Sequence, residues 1–276
     1  MTFLTRRHRA RTQPAPGSVP GPPVDVQLAS GAGREAALLS EHPLIGLDDD
    51  GAGVHLTPGD GHVITVAPPG MGSTVLLTTL GVQALAAGWH LDILDVQHIA
   101  HSWARGLERV TYVDDPDQLH RHLMGLAHQA RNRAASCQPG PRRLVLVEND
   151  GTTSALLDHQ ADPRPNGVAL DALTTVLAHG RQAGIQVVLA CRELPGPLRH
   201  LTRDFFSTRL LIQPSERTWI SAGRPGPRPP SDGWRPGLWH HIAADGTQRS
   251  VQAARISEHD APGFIRAART PKESHR

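Results

Sequence analysis

The sequence predicts an α/β protein: a mostly parallel central sheet with helices on both faces and a late antiparallel strand pair. Three observations carry this expectation. Short β-type runs alternate with helical patterns from about residue 63 to residue 212, the order that produces βαβ crossovers. Two of the runs, Leu144–Val147 and Ile185–Ala190, contain little but apolar residues, which suits strands buried on both faces. Near the end of the chain, Leu238–Ala243 and Arg249–Ala254 flank Asp245-Gly246, a turn dipeptide between two extended runs.

The elements follow in order. Residues 1–36 read as a disordered arm rich in Arg and Pro, residues 37–262 as one domain and residues 263–276 as a charged tail. A short helix from about Gly33 to Ser40 crosses the first boundary. Ile45–Leu47 and Val54–Leu56 surround an Asp48–Gly51 turn and read as a hairpin. Val63–Val66 is a strand, and a Pro/Gly loop leads from it into a helix over Ser73–Ala87. Leu76, Leu77, Leu80 and Leu85 fall at core spacing there, and Gly88 closes it. Strands follow at His90–Leu94 and Val110–Val113. A long helix starts at Pro116, which suits a first turn, and runs to about Ala135 with Leu119, Leu123, Leu126 and Ala130 on one face. After the Leu144–Val147 strand, Gly151–Gly167 is polar and reads as mobile. A helix over Val168–Ala183 precedes the strand from Ile185. A short helix over Pro197–Thr202, a strand over Thr208–Ile212 and a Pro/Gly loop over Arg224–Arg235 complete the order, and a final helix begins near Gly263.

Composition excludes several classes. No apolar run approaches the ~18–20 residues of a membrane span, and no apolar core follows the arginines at the N-terminus, so insertion in a membrane is not expected. Cys137 and Cys191 are the two cysteines, too few for a disulfide framework or a four-cysteine metal site, and a reduced cytoplasmic setting is expected. Net charge is +2, which permits nucleic-acid contact without arguing for it. Of 28 basic residues only Lys272 is a lysine. The 17 histidines include His98 and His101, His120 and His122, and His240 and His241 as close pairs; no cysteine or carboxylate completes a zinc-type spacing, and they read as solvated surface groups. Arg131, Arg133, Arg142 and Arg143 form a basic cluster that reads as a solvated face, with DNA contact as its alternative.

Three segments carry chemistry. Ala67-Pro-Pro-Gly-Met-Gly-Ser-Thr74 lies between a strand and a helix. Glycines there let backbone N–H groups turn inward around a phosphate, and the helix start adds its own donors. Gly70 and Gly72 stand where such glycines belong and Thr74 where a hydroxyl holds Mg²⁺. Ser73 stands where a lysine is usual. A plain Pro/Gly turn is the competing reading. The Leu144–Val147 strand ends in Glu148-Asn149-Asp150, where phosphate-loop ATPases carry a metal-supporting Asp and often a water-orienting Glu. An ordinary polar strand end is the alternative there. Gly180-Arg-Gln-Ala-Gly-Ile185 with Val187–Arg192 is a helix, a tight turn and a buried strand.

Together these segments resemble the motor domain of the FtsK/SpoIIIE family of DNA translocases over roughly residues 42–256. The hairpin at 45–51, the loop at 67–74, Leu94-Asp95, Val113-Asp-Asp-Pro116, Leu144–Asn149, His179–Ala190, Thr208-Arg209 and Arg235-Pro-Gly-Leu238 appear in the family's order. The resemblance implies a RecA-like P-loop NTPase fold and ATP bound with Mg²⁺. Pro69, Gly70, Met71, Gly72, Ser73, Thr74, Val75 and Arg192 would contact the nucleotide, with Thr74 and Glu148 at the metal. Ser73, Glu148, Asn149 and Arg192 depart from the pattern, each removing a group used in hydrolysis, so no catalytic residue is assigned. The family's partners would be double-stranded DNA and a homo-hexameric ring or an intact cognate motor. Other readings are an ATPase with rearranged groups, and a module like those of type VII secretion whose site takes a partner peptide.

Overall fold

The computed structural model describes residues 21–98, 100–138, 140–157, 168–194, 196–223, 226–230 and 233–269. Expectations for residues 1–20, 158–167 and 270–276 lie outside the described residues. The chain opens with β1 (Val26–Gln27), α1 (Gly31–Leu38), β2 (Leu44–Asp48), β3 (Gly53–His55) and β4 (Val63–Val66). Next come α2 (Ser73–Ala86), β5 (His90–Leu94), β6 (Val110–Val113), α3 (Pro116–Ala135), β7 (Arg143–Val147) and α4 (Asn149–Leu157). It continues through α5 (Val168–Ala183), β8 (Ile185–Cys191), α6 (Leu198–Phe205), β9 (Thr208–Leu211) and α7 (Glu216–Ser221). It ends with β10 (Leu238–Ile242), β11 (Gln248–Arg255) and α8 (Ala261–Arg269).

Among the described residues, eleven strands form one sheet in the order β3-β2-β11-β10-β9-β4-β8-β7-β5-β6, with β1 beside β11. The six strands from β9 to β6 are parallel. The β10–β11 pair joins antiparallel to β9 on one side and to the β2–β3 hairpin on the other. This is the α/β architecture expected, with its parallel sheet and late antiparallel pair. Side chains alternate along each parallel strand. Val187 and Leu189 of β8 pack with α3 and α5, while Val188 and Ala190 pack with α2 and α8 on the other face.

Helix α2 is buried nearly all round, including Thr78, Thr79 and Gln83. Its polar groups are therefore bonded. Gln83 accepts from the Leu44 N–H and donates to the Leu44 carbonyl, at 2.8 and 3.0 Å, which stitches α2 to β2. Thr79 accepts from the Ile256 N–H at 3.2 Å. On α3, Asp115 caps the first turn by accepting from Gln118 N–H at 2.9 Å, with Pro116 following it. Gly180 lies where a Cβ would stand 2.8 Å from the Ile185 carbonyl, so the α5–β8 turn closes this tightly only on glycine.

The structure corrects three expectations. Part of the stretch read as a disordered arm to residue 36 is packed: Val26 and Leu28 are buried and β1 pairs parallel with Ala254 and Arg255 of β11. The polar run from Gly151 is helical through Leu157, because Thr152, Thr153 and Leu156 are buried. α7 forms where no helix was expected, capped by Ser215 accepting from Thr218 N–H.

Candidate functional site

β4 lies between β8 and β9 near the middle of the whole sheet, and the loop from Ala67 to Gly72 leads from its carboxyl end into α2. That is where ligands bind in open α/β sheets. Gly70 and Gly72 have φ of 79° and 100°, a left-handed conformation that favours glycine, and Gly72 is the N-cap of α2 without a side-chain cap. Helical bonding begins with Leu76 N–H to Gly72 O at 3.0 Å. The first N–H groups of α2 lack intrahelical acceptors and point out of the helix end with the positive end of its dipole. Three bonds hold the loop: Ala67 N–H to Cys191 O at 3.2 Å, Met71 N–H to Pro68 O at 3.3 Å, and Gly237 N–H to Met71 O at 2.9 Å. Pro69, Gly70 and Val75 are exposed, and Met71 through Thr74 are half-buried. The backbone thus forms an accessible donor-rich cradle, which fits a phosphate. Ser73 brings no positive charge to it.

β7 delivers Glu148 to the same end of the sheet. Thr74 Oγ1 donates to Glu148 Oε1 at 2.7 Å, although the two are 74 positions apart. The remaining Glu148 oxygen, Oε2, lies 2.8 Å from His101 Nε2. On the other side of the ring, His101 Nδ1 lies 3.1 Å from Thr78 Oγ1. A neutral ring with its proton on Nε2 satisfies both contacts, donating to the carboxylate and accepting from the hydroxyl. Hydroxyl and carboxylate oxygens are the donors that Mg²⁺ takes, so Thr74 and Glu148 fit that ion. Among the described residues no group of three or more His, Cys, Asp or Glu could hold a metal by itself.

The neighbouring positions are committed elsewhere. Asn149 has φ 59°, and its side-chain oxygen accepts from Gly151 and Thr152 N–H at 2.9 and 3.3 Å, capping α4. Asp150 accepts from Arg192 N–H at 2.9 Å and pairs with Arg192 Nε at 3.2 Å. Arg192 is thus held to the start of α4, at the carboxyl ends of β7 and β8. Asp95, at the end of β5, is buried and accepts from Ala100 N–H and Tyr112 O–H. Burial, and after it the hydrogen bond to Asp95, raises the Tyr112 hydroxyl above its usual range. Cys191 is a buried apolar group, its thiol pushed up by burial.

The structure brings Thr74 and Glu148 into contact, and it keeps Arg192 on Asp150. His101, which the sequence presents as one of many solvated histidines, is instead fully buried. His62 and His241 are buried as well. No local signal marks His101, since its partners lie 23 and 47 positions away. In the basic cluster, Arg143 binds Asp92, Arg133 donates to the Pro141 and Ala183 carbonyls, and Arg142 lies over the Trp89 ring.

Neither family models nor curated proteins match the sequence. Solved structures do match the fold. The conjugation coupling protein TcpA of pCW3, in its monomer form with ATPγS, superposes with a TM-score of 0.68 at 13% identity, covering 89% of this chain and 74% of TcpA. ATPases 2 and 3 of Thermomonospora curvata EccC, in complex with a signal sequence peptide, give 0.61 at 16% identity, covering 85% of this chain and 44% of that one. ATPases 2 and 3 of EssC from Geobacillus thermodenitrificans give 0.60 at 14%, covering 93% and 52%. The chain therefore spans about three-quarters of TcpA and about half or less of the two multi-ATPase chains. At such identities the likeness is one of fold alone: the chain shares the RecA-like α/β fold of these solved ATPases.

Proposed function

We propose that this chain is a divergent FtsK/SpoIIIE-type domain that binds ATP through backbone groups and is weak or inactive in hydrolysis. The observation that carries the reading is Thr74 bonded to Glu148 at 2.7 Å beside a left-handed glycine loop on the central strand. A bound nucleotide with Mg²⁺ brings the phosphate charge and its partial neutralisation. The loop from Pro69 to Val75 meets that charge with N–H donors and the helix dipole. Without a lysine it forgoes a charge-assisted contact, so binding is weaker than in an intact loop. Asn149 has no carboxylate to take a proton from water, and its oxygen is committed to the α4 cap. Glu148 already holds a hydroxyl and an imidazole. These commitments support slow or absent turnover.

Related proposals rest on the motif resemblance and the cysteine usage: double-stranded DNA as partner, a homo-hexamer or an intact cognate motor as assembly, and a cytoplasmic setting. Among the described residues no helix is long and apolar enough to cross a membrane. The EccC structure, with its signal sequence peptide, favours a second reading in which this chain binds a partner peptide. Nucleotide titration and a steady-state ATPase assay, with and without duplex DNA, separate these readings. The proposal expects saturable ATP binding with little turnover. Turnover that DNA stimulates and that Thr74→Ala and Glu148→Ala abolish would establish the rearranged ATPase instead. No nucleotide binding, with capture of a peptide, would favour the second reading.

A further inference from the structure

The residue after Val147 is a glutamate where P-loop ATPases carry an aspartate. Its extra methylene adds a rotatable bond, so one hydroxyl partner leaves its carboxylate poorly fixed. The structure supplies a second anchor. His101 Nε2 contacts Glu148 Oε2 at 2.8 Å, and both residues are almost wholly buried, at 0% and 2% exposure. His101 Nδ1 meets Thr78 Oγ1, and Thr78 lies one turn beyond Thr74 on α2. Residues four apart on a helix share a face. Thr74, Glu148, His101 and Thr78 therefore form a chain of three hydrogen bonds that begins and ends on α2.

His101 reaches this place at a backbone cost. Its φ is 60°, a left-handed conformation on a β-branch-free but non-glycine residue. Such conformations persist where their surroundings over-determine them. Here Glu258, just ahead of α8, accepts from the His101 N–H at 3.0 Å and from the Ser102 hydroxyl at 2.8 Å. The Trp103 ring stands edge-on to the imidazole, with centroids 6.5 Å apart.

We propose that His101 is the positioning residue of the candidate nucleotide site, an assignment that rests on the nucleotide-binding reading above. It pins Glu148 so that the carboxylate keeps the Thr74 hydroxyl hydrogen, which leaves the Thr74 oxygen lone pairs available to a magnesium ion carried by the nucleotide. Without the imidazole, Glu148 Oε2 has no partner in a dry setting, the carboxylate turns to find one, and Thr74 loses its fixed acceptor.

The readout is the factor by which magnesium tightens binding of a fluorescent ATP analogue, measured against the same titration in EDTA. General loosening of the fold weakens both titrations and leaves that factor in place. His101→Leu is expected to cut the factor by about 10-fold to 100-fold, the range for outer partners of metal ligands. His101→Gln, whose amide can donate to Glu148 from nearly the position of Nε2, is expected to restore most of it. A His101→Leu protein that keeps the full magnesium factor overturns the positioning role, and so does a wild-type chain that binds the analogue equally well with and without magnesium. A wild-type chain that binds no analogue under either condition overturns the nucleotide reading itself, and this proposal with it.

Discussion

Replacing His62 with Gln removes a titrating group from the root of the strand that carries the phosphate loop. His62 is 3% exposed and directly precedes β4. Its Nε2–H donates to the Leu177 carbonyl of α5 and its Nδ1 accepts from the Val187 N–H of β8, both at 3.0 Å. A proton on Nδ1 would abolish the second bond and place a charge in the core. Burial lowers the pKa from 6.5 to about 4. The unfolded chain therefore binds this proton near pH 6.5 and the folded chain only near pH 4. Between those values the unfolded state holds more protons, so stability rises with pH. The contribution is complete above pH 6.5 and is lost as the pH falls toward 4. The drop from 6.5 to about 4, at about 1.4 kcal/mol per pH unit, amounts to about 3 kcal/mol. That is a large share of the ~5–15 kcal/mol that holds a typical protein folded. Urea denaturation of wild type and His62→Gln across pH 4 to pH 7.5 reads it directly. Wild type should lose about 3 kcal/mol more than the variant over that span. His241, whose pKa burial and then Arg249 also lower to about 4, titrates in both proteins and cancels from the difference. Parallel stability curves for the two proteins would refute the reasoning.

Two further outcomes follow. Ser73→Lys returns a cation to the loop and should tighten ATP binding by about tenfold, the scale of one charge-assisted hydrogen bond; isothermal titration that finds equal or weaker binding would count against the cradle. Asn149→Ala should destabilise by about 2 kcal/mol, combining a lost helix cap with a left-handed alanine, while Asn149→Gly should cost only a few tenths of a kcal/mol; denaturant midpoints distinguish the two, and similar losses would mean that the left-handed backbone at 149 is not what asparagine serves.

Much of the fold is legible in the sequence because its signals are local. β7 and β8 are short apolar runs between polar ends, and the loop into α2 is fixed by Gly70, Gly72 and the leucine spacing that follows. The placing of Thr74 beside Glu148 follows from those assignments, since both stand just beyond the carboxyl ends of parallel strands, β4 and β7, that flank β8. What stays hidden depends on partners distant in sequence. β1 is two residues long and exists because Val26 and Gln27 find β11 at the far end of the chain. Gly151, Thr152 and Thr153 are weak helix formers, and the tertiary burial of Thr152, Thr153 and Leu156 overrides that preference. His101 looks like one of many surface histidines until β5, β7 and α2 converge on it. Its main-chain anchor, Glu258, lies 157 positions away.

The central claim is that phosphate is held by the backbone of the Gly70–Val75 segment without help from a lysine. Hydrogen–deuterium exchange of the wild-type chain with and without ATP and Mg²⁺ tests it most directly. Slowed exchange is expected at the amides of Gly70 through Val75, with smaller protection where Gly237 braces Met71. Nucleotide that binds while those amides exchange at their free rate, or that protects a different segment instead, would contradict it.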